Sequence, residues 1–288
     1  MNKITLPACD DAAAFAALAN NDKVASHPSL KPFVAAIQTG YTHYVNNGGN
    51  PFTVANVPLS ANIADYLRKH YNSPNTDLAH ITLMREETEH QPCPMCGSFH
   101  RGTLDHLLPK NTYPAFAIFS RNLVPACKCN SKRKEILKGP LPDQRILHPY
   151  FDDCLAERLV GADFTALGPI PRVGLKLQVS ITHPDYAAID FHFRSIVERT
   201  AIRNWLRDRW VKLCRKPSLV VRALRQNPAA LADLKDILIE ERNLLDESHS
   251  SKNNWESVFI TGLLEDAVST WLYDRMLEPG RLPDGPLQ

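Results

Sequence analysis

The residues best suited to chemistry lie in one segment, CPMCGSFHRGTLDHLLPKNTYPAFAIFSRNLVPACKCNSKRKEILK, running from Cys93 to Lys138. Four of the chain's seven cysteines stand here as two close pairs, Cys93 with Cys96 and Cys127 with Cys129. Such pairs can aim thiolates at one ion, and Gly97 gives the CxxCG turn a backbone angle denied to larger residues. We therefore expect a structural Zn2+ on Cys93, Cys96, Cys127 and Cys129, a scaffold because four thiolates leave no open coordination position. The CxC spacing of the second pair leaves two other arrangements open: three cysteines with His100, or reduced cysteines buried as small apolar groups. A metal would matter to stability, since so short a piece has too little core to stand by itself.

Between the pairs, Asp105 precedes His106, Asn122 follows further along, and Asn130 comes directly after Cys129. On a strand adjacent side chains point to opposite faces, so Asp105 and His106 can serve one centre only at a strand end or bulge. From Gly97 to Lys138 there are eight Lys or Arg against two acids, enough to neutralise phosphates along a nucleic-acid backbone. Lys110, Lys128, Lys132, Arg133 and Lys134 are the expected contacts, with a solvated basic face as the plain alternative. A second basic concentration runs from Phe191 to Lys216, where Arg199, Arg203 and Arg207 recur every four residues and are expected to share a helix face. They could extend the nucleic-acid track, face a partner, or pair with the acids between 233 and 247.

These residues need elements to hold them. Residues 1 to 90 read as a helical N-terminal support region: an Ala-rich helix near 12 to 19, a second from Leu30 to Tyr44 with Phe33, Ile37 and Tyr41 spaced by four, a third over Ile63 to Tyr71, and a fourth before Gln91. Residues 91 to 142 form the cysteine-bearing module, opened by Pro92 and closed by Gly139, Pro140 and Pro142. Residues 143 to 288 read as a mainly helical subdomain. Its one strand is expected at 173 to 181, with Val173, Leu175, Leu177, Val179 and Ile181 on one face, and its helices over 191 to 214, 217 to 226, 228 to 246 and 252 to 277. In the last helix Phe259, Leu263 and Ala267 mark a stripe that Leu264, Val268, Trp271 and Leu272 widen. The four tryptophans are assigned to the core, and LHPYFDD at 147 to 153 is expected to dock against the module through its Tyr and Phe. His148, His183, Cys154 and Cys214 are assigned no chemistry. The fold class is thus α+β, mostly helical with a small embedded metal module.

The bulk numbers exclude more than they specify. A formal charge of +2 on 288 residues identifies no partner, so the local clusters carry that argument. Asp10 and Asp11 interrupt the first apolar stretch before an export signal can form. No run reaches the roughly 18 to 20 apolar residues of a membrane span. The expected setting is therefore cytoplasmic with no membrane partner, which suits paired thiolates better than a disulfide framework. A Walker-type glycine-rich loop is absent from the sequence, so any ATP control would come from another chain.

The order CPMCG, LDHLLPK and NLVPACKCNSKRK resembles the HNH endonuclease family with its ββα-metal fold. The resemblance covers residues 93 to 138 and departs from the pattern in its CxC spacing and in Asn where the last His of the name often stands. It implies hydrolysis of DNA phosphodiester bonds with His106 as general base, Asp105 as the metal-binding acid, Asn122 as the residue that ties the hairpin loop, and Asn130 as second ligand of a catalytic Mg2+ or Mn2+. Lys132 falls where the family commonly has a basic residue. The same pieces with NTYP and LHPYFDD are similar to bacterial HNH proteins of anti-phage defence systems, the Septu-type and retron-associated nucleases, whose partner is often a regulatory ATPase. Two alternatives stand beside this reading: a zinc-stabilised nucleic-acid-binding or adaptor protein without catalysis, and a restriction-type HNH endonuclease.

Overall fold

A computed structural model describes residues 1 to 86 and 91 to 287. Helix α1 spans Asp11–Asn20 and is opened by Asp10, whose carboxylate accepts from the Ala13 amide at 2.9 Å. Helix α2 (Val34–Asn46) buries Ile37, Tyr41 and Tyr44, and follows a 3-10 turn over Lys31–Phe33. It ends where Gly48 and Gly49 take positive φ; a Cβ on Gly49 would lie 2.4 Å from the His148 ring. Helix α3 (Ala61–Asn72) is amphipathic, with Ile63, Ala64, Leu67 and Tyr71 buried at spacings of one, three and four. Helix α4 is Ala79–Glu86, and the rest of the fourth expected helix, residues 87 to 90, lies outside the described residues.

Strand β1 (Thr103–His106) pairs antiparallel with β2 (Leu123–Ala126), Asp105 opposite Val124 and His106 opposite Leu123. A single turn of helix, α5 (Cys129–Lys132), follows and completes a ββα unit. The N-terminal helices and this hairpin are not independently cored. Phe15, Leu30, Ile37, Tyr44 and Leu67 share one apolar cluster with Leu104, Leu108, Phe116, Phe119 and Leu123. The loop between the strands thus inserts its aromatic face into the helices, burying apolar area that neither part could bury alone.

The C-terminal region is built on a second hairpin, β3 (Val160–Thr165) with β4 (Arg172–Leu177). The expected strand over 173 to 181 is shorter than its alternation suggests. Paired residues stop at Leu177, with one further bond from Gln178 N to Leu159 O at 2.9 Å, and Ile181 is 77% exposed. The helix expected at 191 to 214 is two: α6 (Tyr186–Ser195) and α7 (Ile202–Arg215), separated by a 3-10 turn over Val197–Arg199 and an extended Thr200. The segment expected as helix 217 to 226 holds only 3-10 turns, over Pro217–Leu219 and Arg222–Arg225. Helix α8 is Leu231–Ser248. The helix expected at 252 to 277 divides at Leu264–Glu265 into α9 (Trp255–Leu263) and α10 (Asp266–Met276).

That division has a physical cause. Helix α9 buries every residue except the partly covered Glu256, running through the core against β3, where a Cβ on Gly262 would lie 2.7 Å from the Ala162 carbonyl oxygen. A straight continuation would leave the core, so the chain turns and α10 buries Val268, Leu272 and Met276, while Ala267 of the expected stripe is exposed. Trp210 is fully buried and donates from Nε1 to the Gly168 carbonyl at 2.8 Å; Trp205 and Trp271 are half-buried at the margins of the same cluster. Among the described residues no helix is long and apolar enough to cross a membrane.

Candidate functional site

The cysteine pairs converge. Cys93 Sγ lies 3.6 Å from Cys129 Sγ and Cys96 Sγ 3.5 Å from Cys127 Sγ, and all four sulfurs are within 4.8 Å of one another. A tetrahedron of Zn–S bonds has edges of about 3.8 Å, so the cluster can hold a metal such as zinc. The CxC pair manages this because α5 starts between its sulfurs, which turns Cys129 back toward the knuckle. Backbone amides support the set, Cys127 N donating to Cys93 Sγ and Cys129 N to Cys127 Sγ, each at 3.3 Å. Without a cation the sulfurs cannot ionise together: neighbouring thiols bonding to Cys127 lower its pKa, and the same contacts raise that of Cys129. His100 is exposed and is not among the four clustered donors.

The C-terminal region grips the knuckle by its carbonyls. His192 Nε2 donates to Met95 O at 2.7 Å, Trp255 Nε1 to Cys96 O at 2.9 Å, and the Trp255 amide to Gly97 O at 3.1 Å. Gly97 has φ +76°, and a Cβ there would stand 1.9 Å from Asn253 O. Neither His192 nor Trp255 is identifiable from the sequence as a support of this turn. The amphipathic pattern marks Trp255 only as buried, and no local spacing links either residue to the cysteines.

Asp105 and His106 occupy the end of β1, where alternation gives way to the loop. Asp105 Oδ1 accepts from the His106 amide at 2.8 Å, and its Oδ2 accepts from Asn130 Nδ2 at 2.8 Å. The His106 ring is tied by Nε2 donating to Ala117 O at 2.8 Å, which leaves the lone pair on Nδ1. Burial pushes its pKa down to about 4, so the ring is neutral near pH 7. The side chains of Asp105 and Asn130 are therefore brought together and both bond the His106 backbone, while the His106 side chain is tied to Ala117 and the residue is only 5% exposed. Tyr71 of α3 covers it edge-on, ring centroids 4.2 Å apart, while Lys110 sits 4.5 Å from the Tyr71 centroid and Arg85 4.8 Å. Tyr71 was legible as a core position of α3, and its role as a cover was not.

Asn122 is fully buried and fully used. Its Nδ2 donates to Leu108 O and Phe116 O at 3.0 Å each, and its Oδ1 accepts from Leu108 N at 2.8 Å and from the Tyr44 hydroxyl at 3.0 Å. It ties both ends of the loop that carries the Ala117 carbonyl. His148, assigned no chemistry from sequence, stands behind it: its Nε2 is 3.0 Å from the Tyr44 oxygen, and its Nδ1 accepts from Tyr150 N at 3.2 Å. LHPYFDD docks as expected, with the Tyr150 hydroxyl donating to Leu123 O at 2.8 Å.

Two expected contacts need correction. Arg133 does not reach solvent, being 1% exposed. Its guanidinium donates to Asn130 Oδ1 at 2.6 Å, His106 O at 3.0 Å, Leu107 O at 2.6 Å and Ile136 O at 2.8 Å, so four of its five N–H groups are committed inside the fold. Arg199 does not share a face with Arg203 and Arg207, because it belongs to the 3-10 turn that precedes α7. Arg203 pairs with Glu198 and Arg207 bonds Asn204 at 3.4 Å, so neither pairs with the acids of α8. Lys128, Lys132 and Lys134 are exposed around α5, the Val197–Arg199 turn lies against that helix, and Arg199 is exposed on the turn. Lys110 is half-buried and donates to Asn72 Oδ1 at 2.8 Å.

The arrangement also orients Asn130. It presents Nδ2 to Asp105 and the His106 carbonyl, and Oδ1 to Arg133. Asp105, half-buried, retains lone pairs on both oxygens and is the hard donor of the group; Asn130 Oδ1 can join it only if the amide turns over and surrenders the Arg133 bond.

No family model and no solved structure matches the chain. Protein ea31 of Escherichia phage lambda is 34% identical over 83 residues, 27% of this chain and 28% of the phage protein. The chain thus spans little more than a quarter of the length of the curated relative it matches.

Proposed function

We propose that this protein is a metal-dependent HNH endonuclease that hydrolyses DNA phosphodiester bonds. The observation that carries the reading is His106: a neutral imidazole, its tautomer set by the Ala117 carbonyl, belongs to a residue whose backbone amide donates to the Asp105 carboxylate, on a hairpin whose base is a four-sulfur cluster. His106 Nδ1 takes a proton from water as the water oxygen bonds to phosphorus and the bond to the leaving sugar oxygen breaks. Asp105 would hold a Mg2+ or Mn2+ ion, and Asn130 would be its second ligand through Oδ1. When bound, that cation neutralises the charge growing on the leaving oxygen. One carboxylate with few protein ligands suits Mg2+, which keeps waters and takes phosphate oxygens as ligands. Zn2+ on Cys93, Cys96, Cys127 and Cys129 is structural. Lys128, Lys132, Lys134 and Arg199 contribute phosphate contacts, and Lys110 approaches from the Asp105 side. Arg203 and Arg207 continue the same basic edge.

Bacterial anti-phage defence, with cutting restrained until a regulatory ATPase chain acts, is the setting the sequence resemblance suggests. The cover of Tyr71 over His106 supports a restrained resting state. The same cover, with Asn130 Nδ2 facing Asp105, favours as second reading a zinc-stabilised binding or adaptor protein that does no hydrolysis. Incubating the purified protein with linear and circular DNA and with RNA, in Mg2+ or EDTA and with any co-purifying chain retained, separates the two. His106→Ala should fold normally, bind DNA and cut at least about 10²-fold more slowly. Undiminished cutting by that variant removes His106 from the mechanism, and DNA binding without Mg2+-dependent cutting by the wild type selects the binding protein.

A further inference from the structure

Away from the hairpin a second set of ligand-type atoms converges. The segment entering α1 brings Cys9 and Asp11 against His80 of α4, and the thiol sulfur, a carboxylate oxygen and an imidazole nitrogen all lie within 4.8 Å of one another. We propose that Cys9, Asp11 and His80 form a binding site for a transition-metal dication, zinc by its donor chemistry, with water as fourth ligand. One thiolate, one imidazole and one carboxylate are the ordinary zinc donors, and three protein ligands leave a tetrahedral position open.

The surroundings are built for a bound ion. Both Asp11 oxygens are oriented from behind, Oδ1 accepting from Ser120 N at 2.8 Å and Oδ2 from the Ser120 hydroxyl at 2.7 Å, the kind of outer support that fixes ligating carboxylates. His80 Nε2 lies 3.9 Å from Asp11 Oδ1 and 3.3 Å from the Ile118 carbonyl oxygen, a bond that it would give up in offering its lone pair to an ion shared with Asp11. Cys9 and Asp11 line a cavity of about 460 Å³ whose wall also includes Tyr41 and Arg121, and His80 approaches Asp11 from outside that lining. Tyr41 is 5% exposed, and its hydroxyl has no hydrogen-bond partner among the described residues, an orphan that a metal-bound water would satisfy. Its ring is held in place, stacked on Phe119 at 4.2 Å. Among the described residues lining that cavity, with Cys9 deprotonated on binding, Cys9, Asp10 and Asp11 stand against Arg121, leaving two negative charges for a dication to neutralise. Such an ion would clamp the start of α1 and helix α4 to the turn at Ser120, two residues before Asn122.

The test is independent of the four-sulfur cluster, because it reads a difference. Full-length protein, equilibrated with Zn2+ and freed of excess, should carry one equivalent of zinc more than Cys9→Ser or His80→Gln, with circular dichroism confirming that the variants fold. With Co2+ in place of zinc, the wild type minus Cys9→Ser difference spectrum should show the bands of a site with one thiolate ligand. Should either variant fail to fold, alkylation of the wild type followed by peptide mapping decides: Cys9 should be protected by added Zn2+ and react once a mild chelator strips the open site. Zinc content unchanged by Cys9→Ser, or Cys9 alkylation indifferent to Zn2+, overturns the assignment.

Discussion

Replacing Arg133 with Met keeps the length and apolar volume of the stem and deletes the guanidinium. Asn130 Oδ1 and the carbonyls of Leu107 and Ile136 then lose this donor, while the His106 carbonyl keeps its 3.2 Å bond from Asn130 Nδ2. Hydrogen bonds to a charged group are worth about 1.5 to 3 kcal/mol each, and a buried acceptor left unpaired costs about 1 to 3 kcal/mol. Against this stands the cost of burying the cation, visible in a pKa pushed down to about 10, which still leaves it charged near pH 7. The acceptors outweigh the recovered desolvation, so Arg133→Met should lower unfolding free energy by about 2 to 5 kcal/mol, read from the urea midpoint at constant slope. Its effect on DNA affinity should carry no loss of salt dependence. By contrast Lys132→Ala, at an exposed position, should leave the midpoint within about 0.5 kcal/mol and reduce the slope of log affinity against log salt by about one unit. An Arg133→Met protein with an unchanged midpoint and a salt slope reduced by one would show that the guanidinium serves a phosphate and that the buried network has been misread.

Burial also sets an acid limit on stability. His148, pushed down to about 3, and His192, pushed down to about 4, are neutral in the fold but take up protons once the chain unfolds. Folded pKa values depressed below about 6.5 contribute stability that is complete above that pH and drains away as pH falls toward 4, by about 2 kcal/mol per group at pH 5. His148→Gln should therefore show a loss between pH 7 and pH 5 about 2 kcal/mol smaller than wild type in denaturant titrations, and parallel losses would refute the assignment. Trp255→Phe keeps the aromatic packing on Phe99 but drops the bond to Cys96 O, so it should cost about 1 to 2 kcal/mol in the same assay and loosen zinc about tenfold in competition with a chelating dye. Zinc affinity equal to wild type would mean that the knuckle keeps its shape without the C-terminal region.

Much of the candidate site was legible because its signals are local. Cysteine spacing predicts a convergence that the four sulfurs display, since a CxxCG turn and a helix start after CxC are short-range geometries. Helix α3 was readable from its apolar period, as were α1 and α2, because each presents one apolar stripe to one core. The pattern fails where tertiary packing competes with it. Helix α9 is buried almost all round, so no stripe marks where it must turn into α10, and the β4 alternation continues past the point where its pairing with β3 ends.

The sequence by itself determined which residue types are present for metal and proton chemistry and bounded the module that bears them, through cysteine spacing and breaker residues that act within a few positions, while the hairpin within it was expected only from the family resemblance. Only the tertiary structure decided which charges face solvent and what lies over His106. Arg133 sits among lysines in a basic run, yet it turns inward because unpaired carbonyls at the strand end need a donor more than a solvated surface needs another cation. Tyr71, His192, Trp255 and the Cys9, Asp11 and His80 group come from distant parts of the chain, and only the shared cores of the helices and hairpins bring them within hydrogen-bond or ligand distance.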